Sequence, residues 1–204
     1  FKGDYVYHKV AWKNYFNWAY IEDGHLEPGD AVIISVPFSD YGTVHPDLDS
    51  ILDKCDTAGI PVFIDAAYHC IARGLNFNID RPCIDTISFS MSKAFYGAER
   101  LRIGIRCRRE MVDDGCVLFN QFHCVSKIAA GVGYQLCKTY DPDYNQNMFR
   151  EKQLKICKDL KITPSDCVIF GLAEQSHPKF GDYDRGSDWR RVCISKLLGD
   201  LDYE

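Results

Sequence analysis

The sequence predicts an α/β fold with a mostly parallel sheet, followed by a smaller α+β unit. Three observations carry that reading. Short apolar runs at Ala31–Val36, Pro61–Ile64 and Ile84–Phe89 have the length and composition of strands buried on both faces. A helical stretch separates the first two of them. Beyond Phe119 the apolar period becomes helical, and two further short apolar runs close the chain.

Taken in order, Phe1 to Tyr20 is rich in aromatic residues, with Tyr5, Tyr7, Trp12, Tyr15, Phe16, Trp18 and Tyr20. It reads as a strand followed by an amphipathic helix. Glu27-Pro28-Gly29-Asp30 is a turn, and Ala31–Val36 is a strand. Pro46 opens a helix whose apolar stripe is Leu48, Ile51, Leu52 and Cys55, and Gly59 stops it. The strand–helix–strand unit through Ile64 is by default a right-handed parallel crossover. Ile84–Phe89 and Ile103–Cys107 add two more strands. Val125, Ile128, Ala129, Val132 and Leu136 share one helical face. After a break at Asp141-Pro142, Phe149, Leu154, Ile156 and Leu160 belong to a second helix. Cys167–Ala173 and Arg191–Ser195 then read as strands. The resulting division is 1–112 for a large domain and 113–204 for linking helices and a small domain.

Bulk properties exclude several function classes. At 204 residues the chain can bury one good core or somewhat more. A net charge of -5 with scattered lysines and arginines argues against nucleic acid. No apolar run approaches the ~18 residues of a membrane span, and Phe1-Lys2-Gly3-Asp4-Tyr5 does not read as a signal peptide. The ten cysteines include no C-x-x-C pair, so no structural zinc site is expected, and a chain neither small nor secretory in appearance does not call for a disulfide framework. Reduced thiols and a cytoplasmic location fit better.

Ligands of open α/β sheets sit outside the carboxyl ends of the strands. Asp65 ends one run, and Ser90-Met91-Ser92-Lys93 follows another. An acid, hydroxyls, an amine and the later Arg102 would thus face one crevice. A carboxylate there is costly unless paired, and an amine becomes a nucleophile when desolvated or set beside other cations. This set suits a phosphorylated aldehyde. Taken singly, Asp65 could be a turn residue, Tyr68 core packing and Lys93 a surface lysine.

Asp65-Ala66-Ala67-Tyr68, Ser90-Met91-Ser92-Lys93 and Arg102-Ile103-Gly104 together resemble the signature of fold-type-I pyridoxal-phosphate enzymes, the class I/II aminotransferase family. The resemblance runs from about Glu27 to the C-terminus. It implies a pyridoxal-phosphate-transferase-like sheet with helices on both faces, an antiparallel strand at Ile103–Cys107, and pyridoxal 5'-phosphate as cofactor. Carried over by motif, Lys93 forms the Schiff base and shuttles the substrate proton. Asp65 pairs with the pyridine nitrogen, and Tyr68 bonds the phenolic oxygen. Ser90 and Arg102 hold the phosphate, with Ser92 as a further candidate. The stretch from Lys93 to Arg102 is one residue longer than usual in the family, which makes Arg100 a rival. Ser39, in Pro37-Phe38-Ser39-Asp40-Tyr41-Gly42, stands where the family's loop has an asparagine; a plain turn accounts for it equally well. Arg191 resembles the arginine that grips the substrate α-carboxylate, with Arg190 as the register alternative. His69 reads as a packed histidine.

The family's glycine-rich phosphate loop and ring-stacking aromatic have no recognisable counterpart here. The chain therefore looks like the C-terminal part of such an enzyme. The implied function is an aminotransferase acting on amino acid and 2-oxo acid substrates, as a homodimer, without nucleic-acid or membrane partners. A lyase, decarboxylase, synthase or oxidase of the same fold is the alternative, as is a non-catalytic homologue serving as a binding module.

Overall fold

The computed structural model describes residues 1–4, 17–95, 98 and 100–199. The strand and helix expected before Tyr20 fall largely on residues 5–16 and lie outside the described set, as do Tyr5, Tyr7, Trp12, Tyr15 and Phe16.

Four strands form the first sheet: β1 (Val32–Ser35), β2 (Val62–Asp65), β3 (Ile84–Ser90) and β4 (Gly104–Arg108), in that spatial order. The first three are parallel and β4 is antiparallel, as the apolar runs and the resemblance imply. Register brings Ser35 beside Asp65 and Asp65 beside Ser88, so the carboxyl ends of β1 to β3 lie level. Gly104 is required by close approach: a Cβ there would meet the Phe89 carbonyl oxygen at 2.6 Å.

Helix α1 (Leu48–Ala58) connects β1 to β2 and buries the expected stripe Leu48, Ile51, Leu52 and Cys55 against Ile34, Val36, Val62 and Ile64. Full burial of each such aliphatic side chain contributes about 1.5–3 kcal/mol. Gly59 ends the helix in the left-handed region, φ 65°, with its N–H on the Cys55 carbonyl.

Short helix α2 (Met91–Ala94) continues from β3. Then come α3 (Gly115–Gln121), α4 (Lys127–Thr139) and α5 (Tyr144–Leu160). A second, antiparallel sheet contains β5 (Thr163–Pro164), β6 (Phe170–Glu174) and β7 (Trp189–Cys193), and α6 (Ser195–Gly199) follows it.

Two expected strands change their bounds here, and the two expected helices leave much of their apolar surface uncovered. The strand expected at Cys167–Ala173 starts only at Phe170, because Val168 N–H bonds the Ile71 carbonyl and Phe170 N–H turns back to Cys167. The strand expected to reach Ser195 ends at Cys193: Leu198 N–H bonds the Ile194 carbonyl and starts a helical turn that buries Leu198. On α4 only Ala129 of the expected face is buried, while Ile128 is 82% exposed. On α5 the expected Leu154 is exposed, and the face toward the second core is largely polar.

That polar face has a clear purpose. Gln153 is fully buried, and its amide nitrogen lies 2.9, 3.1 and 2.8 Å from the carbonyl oxygens of Ser165, Cys167 and Phe170. Gln146 similarly serves the carbonyls of Ile71 and Asp166. The irregular backbone leading into β6 thus finds donors on a helix instead of a strand.

All ten cysteines are free thiols. Among the described residues no cluster of His, Cys, Asp or Glu could hold a metal, and no helix is long and apolar enough to cross a membrane.

Candidate functional site

The site begins where β1, β2 and β3 end. Asp65 is the last residue of β2, and its Oδ1 accepts the Ala67 N–H at 3.0 Å, which turns the chain toward Tyr68. The Tyr68 ring meets the Phe170 ring edge-on, with centroids 5.5 Å apart. Ser90 is the last residue of β3. Its hydroxyl lies 2.9 Å from that of Ser92 within the first turn of α2, so the two act as one polar pair. Lys93 is exposed on the same turn, with Nζ 5.6 Å from the Tyr68 ring centroid.

The loop after β1 closes the site from the other side. Phe38 N–H bonds the Thr43 carbonyl and Gly42 N–H bonds that of Phe38. Gly42 has φ 71°, and a Cβ on it would sit 2.2 Å from Ser165 Oγ and 2.7 Å from Cys167 Cβ. Only glycine lets this loop lie so close to the segment before β6. Ser165 Oγ then donates to the Tyr41 carbonyl at 2.7 Å.

Ser39 is 2% exposed, and its hydroxyl is buried with no hydrogen-bond partner among the described residues. Its carbonyl accepts a hydrogen bond from Arg191 Nη1. Arg191 lies opposite Leu172 in the β6–β7 ladder, and its guanidinium covers the Phe170 ring at 4.3 Å. Burial pushes the Arg191 pKa down, and neighbouring Arg185 adds to that; Tyr68 and Asp40 act in the opposite sense. Arg190, one residue away on the alternate face, donates to the His177 carbonyl at 3.0 Å.

Ser39, Tyr68, Lys93 and Arg191 are therefore linked through Phe170, with Asp65 and the Ser90–Ser92 pair at the neighbouring strand ends. Arg102 is exposed and has φ 48°. It stands two residues from Gly104, the β-ladder partner of Ser90, whereas Arg100 lies further along the connection.

His69 packs edge-on against Phe89 at 5.6 Å, and faces a cavity of about 530 Å³ also lined by Arg73, Gln146 and Arg150. None of the seven expected site residues lines that cavity.

Sequence reasoning missed three contributors. Phe170 supplies the shared ring, and Asp40 and Arg185 form an ion pair beside Arg191, with Arg185 Nε 3.8 Å from Asp40 Oδ1. A charged residue inside the loop preceding Gly42 was the available signal for Asp40.

Comparison with solved structures places this geometry in context. The chain superposes on the Porphyromonas gingivalis L-threonine-O-3-phosphate decarboxylase with a TM-score of 0.63, at 14% identity, covering 96% of this chain and 74% of that one. With Thermus thermophilus aspartate aminotransferase the TM-score is 0.60 at 16% identity, covering 85% and 55%. A pyridoxal-phosphate-bound C–S lyase of Staphylococcus hominis gives 0.57 at 14%, covering 81% and 50%. The chain thus spans about half the length of the last two. No curated protein sequence matches. The family profile described as aminotransferase class I and II matches residues 22–155, most of the chain and all of the strand-end residues from Ser39 to Arg102. The chain belongs to the class I and II aminotransferase family, whose cofactor is pyridoxal 5'-phosphate.

Proposed function

We propose that the protein is a pyridoxal-phosphate-dependent aminotransferase acting on an amino acid and a 2-oxo acid, with Lys93 as the cofactor lysine. The carrying observation is the convergence of Lys93 and Arg191 on the Tyr68–Phe170 ring pair. An amine and a guanidinium beside one ring pair support reading them as the Schiff-base lysine and the carboxylate anchor of one small zwitterion.

The donor set fits the cofactor. Ser39 offers a buried hydroxyl that has no partner among the described residues, suited to the phenolic oxygen alongside Tyr68. Asp65 would hold the pyridine nitrogen. Ser90 and Arg102 would hold the phosphate, and the Ser90–Gly104 register favours Arg102 over Arg100. When bound, the cofactor supplies an aldehyde for the amines and a ring that takes up the electron pair released at substrate Cα. Lys93 would remove and return the Cα proton. Arg191 would orient the α-carboxylate with two parallel hydrogen bonds. Tyr68, packed on Phe170, would keep its hydroxyl at a fixed position.

We assign residues 1–112 to the large domain and 113–204 to the linking helices and small domain, in keeping with two sheets and two cores. Homodimerisation would cover the apolar side chains exposed on and around α3 and α4, where Phe119 is 63%, Phe122 74% and Ile128 82% exposed. A cytoplasmic location agrees with ten free thiols.

Borohydride reduction after addition of pyridoxal phosphate tests the assignment. The pyridoxyl label should map to Lys93, and a label elsewhere or none overturns it. The fold also hosts decarboxylases and C–S lyases, as the comparisons illustrate. Transfer of the amino group to an added 2-oxo acid, against release of carbon dioxide or of thiol with ammonia, separates these reactions. A non-catalytic binding module would take up the cofactor and yield none of the three.

A further inference from the structure

The cavity of about 530 Å³ that His69 faces lies between the segment following Tyr68 and helix α5. Arg73 comes from the first wall and Arg150 from the second, with Gln146 and Asn147 on the same helix. The two arginines meet the same short stretch of backbone. Arg150 Nη1 donates to the Ser165 carbonyl at 2.7 Å, and Arg73 N–H donates to that of Asp166 at 3.3 Å. Arg150 is partly buried, and both acceptors of its Nη1, the Ser165 carbonyl and Gln153 Oε1, are neutral. Among the described residues its Nε is inaccessible and meets no acceptor, and no carboxylate lies within ion-pair distance of it. Burial pushes the Arg150 pKa down and Arg73 adds to that, while Asp166 acts in the opposite sense. Arg73 itself has only a long contact, Nε 4.0 Å from Asp166 Oδ1, with both side chains exposed; such pairs contribute little. Asp143, exposed just before α5, is the one acid in the lining. A guanidinium taken partly out of water without a counter-ion is costly.

We infer that this cavity is a second binding site, for a small organic anion whose carboxylate or phosphate group lies between Arg73 and Arg150. The anion supplies the counter-ion that Arg150 lacks. Guanidiniums suit either group, because both accept paired N–H donors. The volume falls in the range of small-molecule pockets, and His69 and Asn147 offer polar atoms to the remainder of the ligand. The site uses none of Lys93, Asp65 or Arg191, so it stands independently of the reaction proposed for them. It is nonetheless adjacent to them in the chain. His69 follows Tyr68 directly, and Gln146 Nε2 already ties α5 to the carbonyls of Ile71 and Asp166. An anion held by Arg73 and Arg150 adds a second tie between the same two walls.

Heteronuclear NMR of the pyridoxal-phosphate-loaded protein tests this, with the side-chain amides of Gln146 and Asn147 as reporters at the cavity wall. Inorganic phosphate and succinate are titrated separately at constant ionic strength. Saturable shifts of these amides are the expected result, and the tighter of the two anions identifies the group recognised. Arg73→Gln, a change at an exposed side chain, should weaken that binding about tenfold or more, and Arg150→Gln should abolish it. Arg150 also holds Gln153 and Ser165, so Arg73→Gln carries the test should Arg150→Gln fold poorly. Arg109→Gln, at an exposed arginine outside the cavity, should leave the affinity unchanged. No saturable shift with either anion, equal affinity in wild type and Arg73→Gln, or equal weakening by Arg109→Gln overturns the inference.

Discussion

Arg191 Nη1 donates to the main-chain oxygen of Ser39, 152 residues away in sequence, and so ties the second sheet to the loop that follows β1. The same guanidinium lies on the Phe170 ring. An arginine held by a carbonyl and a ring retains N–H groups for a planar anion, and its two-pronged geometry is not reproduced by an ammonium.

Arg191→Lys should therefore raise KM for the amino acid far more than it weakens cofactor binding. A loss of one good bidentate contact, about 2–3 kcal/mol, corresponds to roughly 30- to 150-fold. Arg190→Lys should be mild, because that side chain is committed to the His177 carbonyl. Steady-state kinetics of the two variants checks this, and reversal of the two outcomes moves the anchor by one residue.

Asp65→Asn should keep the fold and lose turnover. The side chain's structural bond to Ala67 N–H survives, since an amide oxygen accepts it equally well. What disappears is the negative charge beside the proposed pyridine nitrogen. An interaction used in the transition state lowers kcat and kcat/KM together, tenfold for each ~1.4 kcal/mol. A fall of orders of magnitude with an unchanged melting temperature is expected. Near-normal kcat would make Asp65 a turn residue only.

The strand-end residues were legible because β1, β2 and β3 are continuous apolar runs and the polar residues follow them directly. Helix α1 was equally plain, with its stripe and its Gly59 stop. Hydropathy failed where burial is polar: from α5, Gln146 and Gln153 serve carbonyls around the second core and Asn145 serves the Ala94 carbonyl of α2, and no apolar period announces them. It also failed in the opposite sense on α4, whose apolar stripe is real in sequence but largely uncovered in this chain. Asp40 and Arg185 escaped because their meaning depends on a contact between the β1 loop and the segment before β7.

Gln153 should be among the least replaceable side chains outside the site. Its two amide hydrogens serve three carbonyl oxygens, and Arg150 Nη1 fixes the amide's orientation by donating to Oε1 at 2.6 Å. Gln153→Leu keeps the volume yet removes one hydrogen bond from each carbonyl, leaving Arg150 on Ser165, Phe170 N–H on Cys167 and Ser165 N–H on Phe170 as the remaining donors. At about 1 kcal/mol for each of the three lost hydrogen bonds, a loss of about 3 kcal/mol is expected. Melting should drop by roughly 6–12 °C for a chain of this size. A shift under 2 °C would show that water replaces the amide.

The buried thiols set a limit on alkaline stability. Burial pushes Cys167 and Cys83 up to about 12 and Cys157 up to about 11. In the unfolded chain a thiol ionises from about pH 8.5. Above that pH the unfolded state sheds protons that the folded state still holds. Stability contributed by these groups is thus complete below about pH 8.5 and declines as pH rises toward 11–12. Denaturant melts between pH 8 and 11 should show this decline, and Cys157→Ala should flatten part of it relative to its own value at pH 8. Alkylation gives an independent readout, because only the thiolate reacts. A brief iodoacetamide pulse at pH 8 should label the exposed Cys107, Cys116, Cys124, Cys137 and Cys193 and spare Cys55, Cys83, Cys157 and Cys167. Labelling of Cys167 as fast as Cys124, under conditions where the fold is intact, would show that the second core opens freely.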